Sequence, residues 1–160
     1  MRLLLSILLL LSTMAHGQST GATKAETESL MNAAIPFAKQ MLVKYGEFYP
    51  YGHALNVKGE VVAIAGYDGR ENPPSAAVIE ILNKGFIQGA RNGTYKATAL
   101  VYDARVQLPS SGMKSDAIAV SLNHRSSYSV VVYFPYKIEG SKLVEGEAFA
   151  TEGRNDVFGK

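Results

Sequence analysis

The chain has 160 residues, a formal net charge of +2 that reflects a near balance of acidic and basic side chains, and no cysteine. The lack of cysteine excludes disulfides, thiol nucleophiles, thiolate metal sites and a lipid-modified cysteine anchor. Because Lys and Arg do not occur in runs, the sequence shows no electrostatic footprint for nucleic acid. A chain of this length can bury a hydrophobic core without disulfide bonds, so we expect one domain that is stabilised by packing.

The amino-terminal segment has the layout of a secretory signal peptide. Arg2 precedes an apolar run that is too short to span a bilayer, and the small residues Ala15 and Gly17 follow it. We therefore predict a signal peptide over residues 1–17, cleaved between Gly17 and Gln18. The protein is then expected to be secreted or periplasmic, with no membrane attachment after cleavage.

The first helix is predicted to follow a short polar segment. Residues 18–24 are small and polar and are expected to be a flexible lead-in. Thr23 and Glu26 have the spacing of a capping box, which predicts a helix start. Apolar residues then recur at helical intervals as far as Tyr45. Pro36 lies within this pattern and is expected to kink or divide the helix.

A hairpin and a second helix are predicted next. Residues 53–57 and 60–67 read as two strands joined by a tight turn. A second apolar stripe at helical spacing follows and ends at Asn92. Gly85 and Gly89 within it lower helix propensity, which favours a helix that approaches a sheet closely.

The remaining chain is predicted to be β. Four further strands are predicted, over residues 95–108, 115–124, 128–134 and 142–150. Pro135 either ends the third of these or marks a bulge, because proline donates no ladder hydrogen bond. The last of the four is predicted to be an edge strand. The polar tail, residues 151–160, is expected to be frayed and flexible.

The element order α-β-β-α-β-β-β-β predicts a single α+β domain over residues 25–150. We expect two layers, with both helices covering one face of an antiparallel sheet of five or six strands. The order resembles that of profilin-like and roadblock-type domains. This resemblance implies a similar architecture but no function, because such folds carry unrelated functions.

Four short segments of the chain are also similar to short exported bacterial proteins without assigned activity. These segments are residues 46–52, Tyr102-Asp103, residues 114–118 and Pro135-Tyr136. The resemblance implies one compact domain and assigns no catalytic residue.

Polar residues of the late strands form the first candidate site. Asp103 and Arg105 lie two apart and share a strand face, while Asp116 opens the next strand and His124 and Arg125 close it. Paired strands would bring these residues into a patch on the sheet face away from the helices. The patch could bind a ligand or perform acid–base chemistry, or it could be a solvated face with cross-strand ion pairs.

The positions of the histidine and serine residues argue against a metal site and a serine nucleophile. His53 and His124 have no metal-ligand spacing, so we predict no metal and no cofactor and expect hydrogen-bonded or exposed rings. The motif G-x-S-x-G is absent, and Ser126-Ser127 has the composition of a turn. The sequence therefore gives little support for a serine nucleophile.

Tyrosines form the second candidate site. Tyr49 and Tyr51 lie at the first helix-to-strand junction, and Tyr133 and Tyr136 lie near the end of a late strand. Amphipathic rings suit a protein interface and the rim of a core equally well.

Three functional hypotheses follow from these candidate sites. The first is a non-enzymatic domain that binds another protein or a second copy of itself, with an open sheet edge available for pairing. The second is a small-ligand-binding protein or enzyme that uses the polar patch. The third is an inhibitor or immunity-type protein.

Overall fold

The computed structural model describes residues 15–159, with side chains from residue 20 onwards. The apolar part of the predicted signal peptide therefore lies outside the described residues. Gly17 and Gln18, between which cleavage is predicted, fall within the first helix. Within the described part, the helices are too short or too polar to span a bilayer.

Two helices and a seven-stranded antiparallel sheet make up the described chain, which confirms the α+β class. The helices are α1 (Ala15–Tyr45) and α2 (Ser75–Arg91). The strands are β1 (Tyr51–Asn56), β2 (Val61–Ala65), β3 (Tyr95–Gln107), β4 (Lys114–His124), β5 (Ser129–Glu139), β6 (Lys142–Glu145) and β7 (Phe149–Glu152). The count exceeds the expected five or six because the predicted last strand is divided into β6 and β7.

Helix α1 begins earlier than its sequence pattern indicates. Residues 18–24, expected as a flexible lead-in, are helical, and Thr23 lies inside the helix instead of capping it. Tertiary contact explains the difference, since Thr23 is buried and its hydroxyl shares a 3.2 Å hydrogen bond with that of Ser126. The helix also continues through Pro36 without being divided.

The sheet has the strand order β2-β1-β3-β4-β5-β6, and β7 pairs with the other half of β5. β6 and β7 thus share one edge position. Between the two pairings, β5 advances three residues, from Tyr133 to Tyr136, while the facing edge advances four, from Glu145 to Phe149. The extra residue on the edge defines a bulge. The bulge lies beside Pro135, whose carbonyl accepts a 2.8 Å hydrogen bond from Gly146 N–H. Pro135 therefore does not end β5 but lies opposite a bulge in the edge strand.

The two helices lie on opposite faces of the sheet, so the expectation that both cover one face is wrong. The α1 face carries Tyr51 and Val101, which belong to the core under α1. The α2 face carries Gly52 and Leu100, and these contact or share the core under α2. Alternation could not reveal this arrangement, because residues 97–101 of β3 are buried on both faces.

Each helix covers a separate core. The α1 core is the larger, and its central members are Leu30, Ala34, Leu42, Ala99, Val101, Ile118, Val120 and Leu122. The α2 core contains Val78, Leu82, Phe86, Leu100 and Val157. Val157 is buried and Phe158 packs beside it, so the expectation of a frayed tail is wrong for this part of the carboxyl terminus.

Helix α2 packs mainly on β1 and β3, while α1 spans β1, β3, β4 and β6. The α2 face of β4 and β5 therefore extends beyond α2. The segment after β7 returns along this face and packs its Val157 into the α2 core. A concave space forms between α2, the sheet and this returning segment.

Candidate functional site

The predicted polar patch separates into two groups at opposite ends of β4. Asp116 pairs with Arg105 across the strands, whereas His124 pairs with Ala97 at the other end of the ladder. Eight residue steps at about 3.3 Å each separate Asp116 from His124 by roughly 26 Å. The patch also lies on the α1 face and not on a helix-free face. The prediction of one converged site is therefore wrong.

The first group is a cross-strand charge cluster. Arg105 Nη1 donates to Asp116 Oδ1 at 2.7 Å, and Tyr136 Oη donates to Asp103 Oδ1 at 3.0 Å. Burial raises the pKa of Asp103, and the neighbouring Asp116 charge adds to this effect against the Tyr136 hydrogen bond. The side chains of Arg105 and Asp116 are 64% and 48% exposed, so their pair contributes under about 1 kcal/mol. This group therefore matches the alternative prediction for the polar patch, which was a solvated strand face with cross-strand ion pairs.

The second group fastens α1 to the β4–β5 hairpin. His124 is buried, and its Nε2 lies 2.9 Å from Glu26 Oε2. Lys96 Nζ donates to the other oxygen of the same carboxylate at 2.5 Å. Burial raises the pKa of Glu26, but the hydrogen bonds and charges of Lys96 and His124 together outweigh burial and lower it. Arg125 is exposed, and only its backbone N–H joins the group, by donating to the Lys96 carbonyl.

Ser126 gives this group a superficial likeness to a serine–histidine–glutamate triad. Ser126 Oγ lies 2.8 Å from His124 Nδ1, but the backbone N–H of Ser126 also donates to Nδ1, at 3.0 Å. The serine hydroxyl is shared further with Thr23. The ring nitrogen thus caps its own turn, and we interpret the group as a structural clamp. Among the described residues, no three His, Asp or Glu side chains gather as metal ligands.

His124 is hydrogen-bonded as predicted, whereas the other histidine, His53, has a different environment. His53 Nδ1 is buried and has no hydrogen-bond partner among the described residues. The ring packs edge-on against Tyr51 with centroids 5.9 Å apart, and burial lowers the pKa of His53. The packing favours the uncharged ring.

The four candidate tyrosines have three different environments. Tyr51 and Tyr136 are buried at 8% and 7% exposure, so they belong to the core and cannot form an interface. Tyr49 is exposed and donates to Asn72 Oδ1 at 2.9 Å. Tyr133 stacks on Phe149 with ring centroids 5.0 Å apart and lines the concave space beside α2.

This concave space, which we call the α2-face groove, is a third candidate site. It has a volume of about 480 Å³. Its lining comes from α2 (Ile79, Asn83), from the sheet (Leu100, Tyr102, Ser121, Asn123, Val131, Tyr133) and from residues 151–157. Three elements that are distant in sequence therefore border one open groove with a volume in the range of small-ligand sites.

The groove combines an apolar floor with neutral polar groups. Burial, with a contribution from neighbouring Tyr133, raises the pKa of Tyr102, and its hydroxyl is protonated at neutral pH as in any tyrosine. Asn155 has a positive φ of 53°, and its Oδ1 is buried without a hydrogen-bond partner in the described chain. The lining also contains three charged residues, Glu152 at the end of β7 and Arg154 and Asp156 in the returning segment.

Sequence reasoning identified only Tyr133 of this lining. A usable signal was present in β4, where the face opposite its apolar stripe carries Ala117, Ala119, Ser121 and Asn123. Small and polar residues in alternation mark a strand face that no helix covers closely. The contribution of residues 151–157 gave no such signal, because a polar tail usually frays.

Comparison of the chain with protein-family models, with curated proteins and with solved structures gives no match. The resemblance to profilin-like domains therefore stays one of element order. Any function must be argued from the groove and the surface themselves.

Proposed function

We propose that this chain is an exported binding domain that holds a small, neutral, polar molecule in the α2-face groove. The observation that carries the proposal is the convergence of α2, the sheet and the returning segment on one cavity of about 480 Å³. This volume lies within the range of about 300 to 1,000 Å³ that is typical of ligand sites. The proposal belongs to the small-ligand class, located away from the predicted polar patch.

The side chains that the sheet and α2 contribute to the lining support a neutral ligand rich in hydroxyl or amide groups. The sheet contributes hydroxyl and amide side chains (Tyr102, Ser121, Asn123), and α2 contributes Asn83. Such groups donate and accept without a fixed charge, so they match polyols, saccharides and acetamido groups better than ions. The unpaired Asn155 oxygen favours a ligand that brings a donor, because an unpaired buried acceptor costs about 1 to 3 kcal/mol.

Filling the groove is expected to weaken ligand binding without unfolding the protein. Ser121→Leu places an apolar side chain in the lining, next to Leu100 and Val131. The measurement is ligand-detected NMR with mono- and disaccharides, N-acetylated sugars and, for contrast, nucleotides. We expect neutral hydroxyl-rich compounds to bind, and Ser121→Leu to weaken them about tenfold or more.

Ser115→Leu is the matched control, because Ser115 lies on the same strand and the same face but outside the groove lining. It should bind like the wild type, and circular dichroism should show both variants folded. If no compound of the panel binds, or if Ser121→Leu binds as tightly as Ser115→Leu, the groove is not the ligand site.

Export is part of the same proposal and rests on the leader pattern before Gln18. When the full chain is expressed in a bacterium, we expect the protein in the periplasmic or culture fraction to have an intact mass that starts at Gln18. Replacing apolar residues of the leader with charged ones should retain the full-length chain in the cytosol. A full-length wild-type chain in the cytosol would contradict export.

A further inference from the structure

We infer that two copies of this chain associate through β2, pairing antiparallel so that one sheet continues across a two-fold axis. The surface is called the β2 edge and consists of Val61–Ala65 with its outward backbone groups. It lies on the far side of β1 and β3 from the returning segment, and none of its residues lines the groove. Association and ligand binding are therefore separable.

The two edges of the sheet differ in their protection. The β6/β7 edge is interrupted by a bulge and carries charges, and Glu145 there forms an ion pair with Lys39 of α1. Charges and bulges are the features that keep an edge strand from pairing with another chain. The β2 edge has the sequence Val-Val-Ala-Ile-Ala, without a charge, a proline or a bulge in its pairing with β1. Its composition therefore favours pairing.

The hydrogen-bond phase of the β1–β2 hairpin shows which groups of β2 are available. Asn56 N–H donates to the Glu60 carbonyl at 3.0 Å, which makes these two residues a hydrogen-bonded pair. Such pairs recur at every second residue, so Val62 and Ile64 bond to β1. The N–H and C=O groups of Val61, Ala63 and Ala65 consequently point away from the sheet. A second strand can use all of them.

The side chains along the β2 edge provide apolar contact on the α1 face. Val61 is 38% exposed, and Ala63 and Ala65 are exposed beside it. Phe37 of α1 is 47% exposed and packs on Tyr51, the cross-strand neighbour of Ala65. A strand added at this edge would cover the three β2 side chains and approach the Phe37 ring. Both copies contribute the same area, as a two-fold interface requires.

The self-complementarity of this strand argues for a second copy as the occupant. An antiparallel register centred on Ala63 places Val61 of each copy opposite Ala65 of the other. Because β2 carries no charged side chain, it pairs with itself without bringing like charges together.

This register can be tested by measuring dimerisation and, because the natural chain has no cysteine, by introducing single cysteines for cross-linking. Sedimentation equilibrium of the wild-type protein should show a reversible dimer in the micromolar range. Ala63→Lys places two like charges opposite each other on the axis and should raise the dissociation constant about tenfold or more. Val144→Lys, on the β6 edge, should leave it unchanged.

Cross-linking provides the positional readout. Ala63→Cys should be joined to its own copy by a short thiol cross-linker, because residues opposite each other lie about 5.5 Å apart at Cα. Val144→Cys, whose side chain is 43% exposed in the wild type, should not be cross-linked to its own copy under the same treatment. A monomeric wild type, or a dimer that Ala63→Lys does not weaken and Ala63→Cys does not capture, would overturn the inference.

Discussion

Replacing Phe86 with alanine is expected to lower the free energy of unfolding by about 3 to 5 kcal/mol. Phe86 is 1% exposed and is the largest fully buried side chain of the described chain. Its ring lies against Gly52 of β1, where a Cβ atom would overlap the ring. The loss equals a large share of the total stability of a typical domain, which is about 5 to 15 kcal/mol.

The contact between Phe86 and Gly52 can be isolated with a double-mutant cycle. Gly52→Ala alone should cost about 1 to 3 kcal/mol, because the new Cβ would overlap a ring that is buried in the α2 core. In a Phe86→Leu background the same substitution should cost less, since the smaller side chain leaves room for the new methyl group. Urea unfolding measures all four proteins. Equal costs in the two backgrounds would show that the ring is not what excludes a Cβ at position 52.

Gly85→Ala is the matched control for glycine replacement. Gly85 lies in α2, and no neighbouring atom comes within 4 Å of the point where an alanine Cβ would lie, so alanine fits there freely. The substitution should raise stability by about 0.5 to 1 kcal/mol through helix propensity. Gly89, one turn later, faces the Tyr95 ring, and a Cβ there would overlap it. The expected close approach to the sheet is thus found at Gly89 and not at Gly85.

Removing the Tyr51 hydroxyl is expected to destabilise the protein by about 1 to 3 kcal/mol. Tyr51 Oη donates to the Ala34 carbonyl at 2.6 Å and accepts from Ala38 N–H at 3.0 Å. An undisturbed helix would pair these two backbone groups with each other. They flank Pro36, which cannot donate to the turn before it. Tyr51→Phe would leave the weakened turn of α1 without its bridging hydroxyl.

The same hydroxyl predicts a specific loss of stability in alkaline solution. Burial raises the pKa of Tyr51 to about 12, against the opposing effect of the Ala38 hydrogen bond. A group with a raised folded-state pKa stabilises fully below its unfolded pKa of about 10, and this stabilisation is lost as pH rises towards 12. The stability difference between wild type and Tyr51→Phe should therefore be constant from pH 7 to 9 and shrink between pH 10 and 12.

Urea unfolding across this pH series measures the difference, and Tyr136→Phe serves as a comparison. The pKa of Tyr136 is also raised, first by burial and then by the nearby Asp103 carboxylate. Titration of Tyr136 is common to the wild type and Tyr51→Phe, so it cancels in their comparison. A difference that stays unchanged up to pH 12 would contradict the bridging role of the Tyr51 hydroxyl.

The local spacing of apolar residues was sufficient to predict the secondary-structure elements themselves. The spacing of apolar residues located α2 and the main strands to within a few residues, because period and turn composition are properties of short segments. It also presented Pro135 as either a strand end or a bulge. Only the pairing of β5 with β6 and β7 decided for the bulge, since the residue count on the facing strand is not contained in β5.

The sequence pattern failed to predict which sheet face each helix covers, because the central strand is buried on both faces. In β3 the face of Asp103 and Arg105 was predicted to lie away from the helices, but Ala99 and Val101 on the same face are buried under α1, and Leu100 on the opposite face is buried under α2. A doubly buried strand has no polar side to mark its outer face. For this reason both helices were assigned to one side. The candidate site was then sought on the face that α1 in fact covers.

The sequence by itself determined the class of the molecule: two amphipathic helices, an antiparallel sheet and a core that forms without cysteine. Only the tertiary structure decided which face each helix covers, that His124 and Asp116 are far apart, and that the polar tail closes a groove against α2. The physical reason is the range of the interactions. Helix and strand periodicity arise from neighbours along the chain, whereas the groove and the β2 edge depend on segments that meet only after folding.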